Sequence, residues 1–218
     1  EPRKAPRDDL YEIAGGTYTR LAFDLSEQEH DGYYLGYANS VLWPLFHRRA
    51  DLMDVQPGFS ETYRAVNARL AALVAEQLRP GDLIWVHDYH FLPLAQELRK
   101  LGVTNRIGFF LHIPFPVSAD VPALSDARDL VDWVAGYDVF GLQTEADTEQ
   151  VQQMFIHQAG AEVDDAGCVH YKDRVMQPLY CPIGIDATGY QATAEASDAA
   201  ERLAMRPGQK LVLGVDRL

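Results

Sequence analysis

The stretch Asp82–Pro116, reading DLIWVHDYHFLPLAQELRKLGVTNRIGFFLHIPFP, constrains the fold more than any other part of the chain. An apolar run, Leu83–Val86, ends abruptly in His87-Asp88-Tyr89-His90. A helix-like segment follows, and a second apolar run, Ile107–Leu111, ends in His112-Ile113-Pro114-Phe115-Pro116. Short apolar runs joined by a helical segment make a βαβ unit, whose right-handed crossover leaves the two strands parallel. Both runs are continuously apolar, which predicts helices on both faces of the sheet. The polar and aromatic residues collect at the carboxyl ends of the strands.

The alternation continues on either side. Tyr63, Val66, Leu70, Leu73, Val74 and Leu78 recur at helical spacing and predict a helix over 60–79. Then come strand 83–86, helix 92–101, strand 107–111, helix 126–135, strand 138–142 and helix 145–159. Ser26-Glu27-Gln28-Glu29 and Thr144-x-x-Asp147 read as capping boxes. The first opens a helix expected to run toward Leu42 and to break at Trp43-Pro44. Residues 1–16 read as a polar surface segment with little regular structure, and Thr17–Phe23 as a short strand. Val175–Ile185 reads as extended, with Pro178 and Pro182 restricting it to an edge or a bend.

A short helix is expected near 196–205. Lys210–Val215 reads as a fresh strand carrying Asp216-Arg217-Leu218 at its carboxyl end. A buried strand needs neighbours, so the expectation is a chain that is a fragment, with a second domain starting here. The expected fold class is α/β, a Rossmann-like, mostly parallel sheet flanked by helices. The expected organisation is a segment 1–16, a domain 17–190, and a linker with the first strand of another domain over 191–218.

The formal net charge of −13 argues against a general nucleic-acid or anionic-membrane surface. It leaves room for a phosphorylated ligand, which a few arginines and helix N-termini can hold. No apolar run is long enough to span a membrane, and the start lacks the apolar core of a signal peptide. Cys168 and Cys181 make neither a disulfide framework nor a zinc pattern and read as thiols in a reducing, cytoplasmic setting.

In open α/β sheets, ligands bind outside the carboxyl ends of the strands. Those ends are His87-Asp88-Tyr89-His90, His112-Ile113-Pro114-Phe115-Pro116, Gln143-Thr144-Glu145 and Arg217; the opposite ends are ordinary loops. Asp88 either accepts hydrogen bonds from neighbouring sugar hydroxyls or caps the next helix. His112 is either a satisfied buried histidine or a ligand contact held by the rigid Pro-Phe-Pro that follows. His87 and His90 lie on a turn, in the spacing H-x-x-H, which is not the H-E-x-x-H of a zinc helix. Tyr34 and Trp43 are either core residues or donors to a phosphate or hydroxyl. There is no G-x-G-x-x-G, Walker loop, G-x-S-x-G elbow or Cys/His nucleophile signature.

At these residues the chain resembles the trehalose-6-phosphate synthases, retaining glycosyltransferases built from two Rossmann-like domains (the GT-B type). The resemblance is carried by Asn39–His47 (NSVLWPLFH), Trp85–His90 (WVHDYH), Asn105–Pro116 (NRIGFFLHIPFP), Tyr137–Glu145 (YDVFGLQTE), Pro182–Asp186 (PIGID) and Val215–Leu218 (VDRL), in the family's order and spacing. It implies an N-terminal, acceptor-binding part. The implied reaction moves glucose from a nucleotide sugar, usually UDP-glucose, to glucose 6-phosphate without a metal. It implies that Tyr34 and Trp43 help hold the acceptor phosphate, that Asp88 contacts the acceptor, that His112 contacts the donor sugar, and that Arg217 holds the donor diphosphate with a later lysine. It implies no nucleic-acid or membrane partner and leaves a homo-oligomer open. Glu145-Ala146-Asp147-Thr148 departs from the family's Glu-Asn-Asp-Arg at the second and fourth side chains. Two alternatives share the motifs: a glucosylglycerol-phosphate synthase with another phosphorylated acceptor, and a non-catalytic sugar-phosphate sensor.

Overall fold

The computed structural model describes residues 10–13, 16–198, 208–210, 212 and 214. Arg217, most of the expected strand 210–215 and most of the expected helix 196–205 lie outside the described residues. The chain divides into two compact units, Glu1–Pro182 and Ile183–Leu218. The second contributes one described helix, α7 (Ala187–Glu195), capped where Gly189 N–H donates to Asp186 Oδ1 at 2.9 Å.

The first unit opens with a hairpin of β1 (Tyr11–Ile13) and β2 (Arg20–Ala22), an antiparallel pair outside the main sheet. Part of the segment expected to lack regular structure is therefore a strand. A continuous helical run follows, made of α1 (Glu27–Glu29), a π-helical stretch His30–Leu42 and α2 (Trp43–Phe46). Its capping box forms as expected: Glu29 N–H donates to Ser26 Oγ at 3.2 Å and Ser26 N–H donates to Glu29 Oε2 at 2.8 Å. The expected break at Trp43-Pro44 does not occur. Trp43 N–H closes a π-type bond to Ala38 O, and Ser40 O, which Pro44 has no N–H to reach, accepts from Asp54 N–H at 2.9 Å. The run ends after Phe46, with Arg48 left-handed at φ 59° and Arg49 N–H bonded back to Pro44 O at 2.8 Å.

The main sheet has the order β3-β4-β5-β8-β7-β6. Strands β3 (Leu83–His87), β4 (Arg106–Phe110), β5 (Val139–Leu142) and β8 (Arg174–Tyr180) run parallel. The short strands β6 (Glu162–Val163) and β7 (Val169–Tyr171) add an antiparallel edge that the sequence reading did not place. The reading of Val175–Ile185 as an edge needs correction, because β8 is interior over its first half. Pro178 is tolerated because β7 reaches only to Met176, so at Pro178 the only ladder partner is Phe140 of β5.

Helices α3 (Phe59–Ala75), α4 (Leu94–Lys100), α5 (Ala127–Val134) and α6 (Glu145–Ala159) contribute to one core with Val86, Ile107, Phe109, Phe140, Leu142 and Met176. The register puts these strand residues on one face. The other face carries Leu83, Trp85, Val175 and Leu179, all exposed. The expectation of two covered faces thus holds for one face of the described residues. On the open face the Trp85 ring lies against Gly108 of the neighbouring strand, where a Cβ would sit 2.5 Å from the ring.

Candidate active site

The site is built where β3 and β4 end. Asp88 N–H makes the last ladder bond, to Phe110 O at 2.9 Å. The backbone then turns through φ 73°, ψ 162° at Asp88, a region that glycine occupies and other residues enter at a cost of roughly 1–3 kcal/mol. The turn is held from behind. Tyr63 donates to Tyr89 O (2.5 Å), Tyr33 and Asn67 Nδ2 to His90 O (3.2 and 3.1 Å), and Tyr137 to Phe91 O (2.6 Å). Burial raises the phenols of Tyr33, Tyr63 and Tyr137 well above their ordinary value, so all three stay protonated donors. Each carbonyl of the one-turn 3₁₀ helix Tyr89–Phe91 is thereby satisfied.

Asp88 Oδ1 accepts from Tyr89 N–H at 3.0 Å and faces His112 N–H at 3.4 Å. Both contacts use the same oxygen. Oδ2 has no protein partner among the described residues. The two readings of Asp88 are therefore compatible: one oxygen caps the turn and the other is open to a ligand.

His112 sits two residues beyond β4 and is exposed rather than buried. Its ring Nε2 is 3.0 Å from His87 Nδ1, and its carbonyl accepts from Gln143 Nε2 at 2.6 Å. The rigid loop that follows is tied to α6: Phe115 N–H donates to Asp147 Oδ1 at 2.9 Å and Ser118 N–H to Gln150 Oε1 at 3.0 Å. Asp147 also accepts from Thr144 Oγ1 at 2.6 Å, so the partner of the N-cap Thr144 doubles as the clamp on the Pro-Phe-Pro loop. The sequence reading found the cap and missed the clamp.

Tyr34 and Trp43 come from the helical run and meet the same turn. Tyr34 stacks on His90 (5.4 Å between centroids, 13° between planes), His90 lies 4.1 Å from Tyr89, and Trp43 packs 5.7 Å from Tyr89. Tyr89 O–H is fixed by Asn39 Oδ1 at 2.7 Å. His47, 4.0 Å from the Trp43 ring, donates from Nδ1 to Trp43 O at 2.7 Å. Tyr34 and Trp43 are 41% and 42% exposed, so neither is a core residue in this structure. Burial lowers the His90 pKa and keeps its ring neutral, and its Nε2 is buried without a hydrogen-bond partner. The structure thus gathers Tyr34, Trp43, Asp88 and His112 around the ends of β3 and β4, while Arg217 lies outside the described residues.

Among the described residues no group of three or more His, Cys, Asp or Glu could hold a metal ion, and no helix is long and apolar enough to cross a membrane. A cleft that a small molecule could enter lies elsewhere. It has a volume of about 330 Å³ and runs between the π-helical stretch, residues 53–61 and Leu124–Asp126. Of its two carboxylates, Glu61 and Asp126, the second is already engaged by Tyr37 (2.8 Å), Ser60 (2.7 Å) and Arg64 (3.0 Å), a network that ties the helices together. The strand-end surface carries ligand-type atoms at Asp88 and His112 that have no partner among the described residues.

Comparison with known proteins places this geometry in context. The model of glycosyltransferase family 20 matches residues 1–218. The trehalose-6-phosphate synthase of Cronobacter sakazakii is 38% identical over 213 residues, covering 96% of this chain and 45% of that protein. A crystal structure of an alpha,alpha-trehalose-phosphate synthase (UDP-forming) from Burkholderia xenovorans in complex with glucose-6-phosphate superposes with a TM-score of 0.80 at 38% identity, covering 86% of this chain and 43% of that one. An Escherichia coli structure described as bound with UDP-2-fluoro glucose gives a TM-score of 0.83 at 38% identity over 93% of this chain and 45% of that one. The chain therefore spans less than half the length of these relatives.

Proposed function

The chain belongs to glycosyltransferase family 20, and from that membership we propose that the protein carrying it transfers glucose from UDP-glucose to glucose 6-phosphate, giving trehalose 6-phosphate with retention. Residues 17–190 form the acceptor-binding part in this reading, and 191–218 lead into a nucleotide-sugar-binding domain that completes a GT-B architecture. Tyr34 and Trp43 hold the acceptor phosphate, Asp88 binds the acceptor sugar, His112 meets the donor sugar, and Arg217 meets the donor diphosphate. The reaction takes place in the cytoplasm and uses no metal.

The observation that carries this reading is the coupling of a strained carboxylate to a histidine across two neighbouring strand ends. Asp88 is held in a glycine-like conformation with Oδ1 facing His112 N–H at 3.4 Å. Asp88 Oδ2 and one ring nitrogen of His112 then remain for ligands on adjacent strands. Charge and hydrogen-bond positioning are what such a site supplies. The acceptor hydroxyl attacks the anomeric carbon on the face from which the diphosphate leaves. The departing phosphate oxygen takes the hydroxyl proton, so no protein nucleophile takes part.

The test is a turnover assay with UDP-glucose and either glucose 6-phosphate or glycerol 3-phosphate, following UDP release and the sugar product. Trehalose 6-phosphate from the first acceptor is expected. Turnover with glycerol 3-phosphate alone would overturn the acceptor assignment, and binding of glucose 6-phosphate without turnover would make the protein a sensor.

A further inference from the structure

We propose that His87 is a positioning residue for His112, an inference that rests on the reading of His112 as the donor-sugar contact. His87 is the last residue of β3 and His112 lies just past the end of β4, so the two rings come from adjacent parallel strands. Their centroids are 5.2 Å apart and Nδ1 of His87 is 3.0 Å from Nε2 of His112. Both residues are exposed, so no burial forces them together. An imidazole–imidazole hydrogen bond needs one N–H and one lone pair. It therefore fixes the tautomers of both rings relative to each other, and it cannot form between two imidazolium ions.

The remaining groups of His112 are also held. Its carbonyl accepts from Gln143 at the end of β5, its N–H faces Asp88, and the edge of Phe110 braces its ring at 4.8 Å. Nδ1 is the one polar atom of His112 with no partner among the described residues. His87 thus leaves a single ring nitrogen of His112, its protonation tied to that of His87, to meet a sugar hydroxyl. Trp85 stands at the other side of His87, edge-on at 5.7 Å, and limits its swing. A histidine that accepts or donates in the wrong tautomer loses its ligand bond while every contact distance stays the same.

Two measurements test this. Long-range proton–nitrogen spectra of the imidazoles, recorded on the ¹⁵N-labelled chain without sugar, should show the same tautomer, Nδ1–H or Nε2–H, on His87 and His112. In His87→Ala, the His112 signals should move to those of an averaging ring; an unchanged His112 spectrum overturns the proposal whatever the protein's activity. Kinetics then test the consequence. His87→Ala should lower kcat about tenfold to a hundredfold at unchanged KM for glucose 6-phosphate, and His87→Asn, whose amide reaches the place of Nδ1, should recover most of it. Equal loss in Ala and Asn, or a loss carried by acceptor KM, overturns the positioning role. Absence of glucosyl transfer by the unsubstituted protein would instead defeat the functional reading, and the spectra would still decide the histidine pair.

Discussion

Asp88 shows how far a single residue can be read. Its place after an apolar run, before a helical segment, marks it as a cap or a ligand contact, and both roles fit the two oxygens of its carboxylate. Its left-handed backbone could not be read, because the turn that follows it is held by Tyr33, Tyr63, Asn67 and Tyr137, from distant parts of the chain. The strain makes a prediction that separates the backbone from the carboxylate. Asp88→Gly and Asp88→Ala both lose the cap, worth about 1 kcal/mol. Only glycine relieves the φ of 73°, while adding some freedom to the unfolded chain. Asp88→Gly should therefore be more stable than Asp88→Ala by about 1–2 kcal/mol in urea unfolding. Equal stability would mean that the turn relaxes once the carboxylate is gone. The pairing of His87 with His112 was likewise hidden, since its signal is strand register and the sequence shows only two histidines 25 positions apart.

At the level of elements, the βαβ alternation was legible because period and run length report it directly. Strands β3, β4 and β5 and helices α3 to α6 fall where the apolar pattern puts them, within a few residues at their ends. Three features escaped besides strand β1 and the interior half of β8. Pro44 reads as a breaker, yet it sits where a π-helical ladder gives way to an α-turn, and Asp54 N–H satisfies the carbonyl that Pro44 cannot reach. The β6–β7 edge is too short to show a period. Gly136 read as ordinary loop, yet it is a contact point between α4 and the turn into β5. A Cβ there would lie 2.8 Å from the backbone nitrogen of Gln96 and 3.1 Å from Trp133 O. Neither neighbour is a flexible side-chain end, so the helix itself must move. Gly136→Ala should cost about 1–3 kcal/mol, read as a lower urea midpoint at unchanged slope. The next residue, Tyr137, reaches Phe91 O at 2.6 Å, so the variant should also loosen the turn that carries Asp88. Slower amide exchange at Tyr89–Phe91 in the variant would contradict that coupling.

Across the whole molecule, the uneven treatment of the two sheet faces is what composition and periodicity could not reveal. A parallel sheet ordinarily carries helices on both sides, because both faces of its strands are apolar. Here Val86, Ile107, Phe109, Phe140 and Met176 are buried on one side, while Leu83 (78%), Trp85 (54%), Val175 (51%) and Leu179 (41%) stand exposed on the other. The apolar runs are the same for both faces, so sequence gives no hint of which face the described residues leave bare. Trp85 partly covers the gap by lying on Gly108, and Phe110 does the same against Gly141, 3.0 Å from where a Cβ would be. An apolar surface of this kind binds hydrophobic dyes and promotes association. The 218-residue chain should therefore enhance the fluorescence of an anilinonaphthalene dye while fully folded by circular dichroism. Leu83→Lys should reduce that signal and change unfolding stability by no more than about 0.5 kcal/mol, because a side chain 78% exposed has little packing to lose. Trp85→Lys should reduce the signal further and also cost stability, since it strips the ring from Gly108. Dye binding that both lysines leave unchanged would place the apolar surface somewhere other than this face.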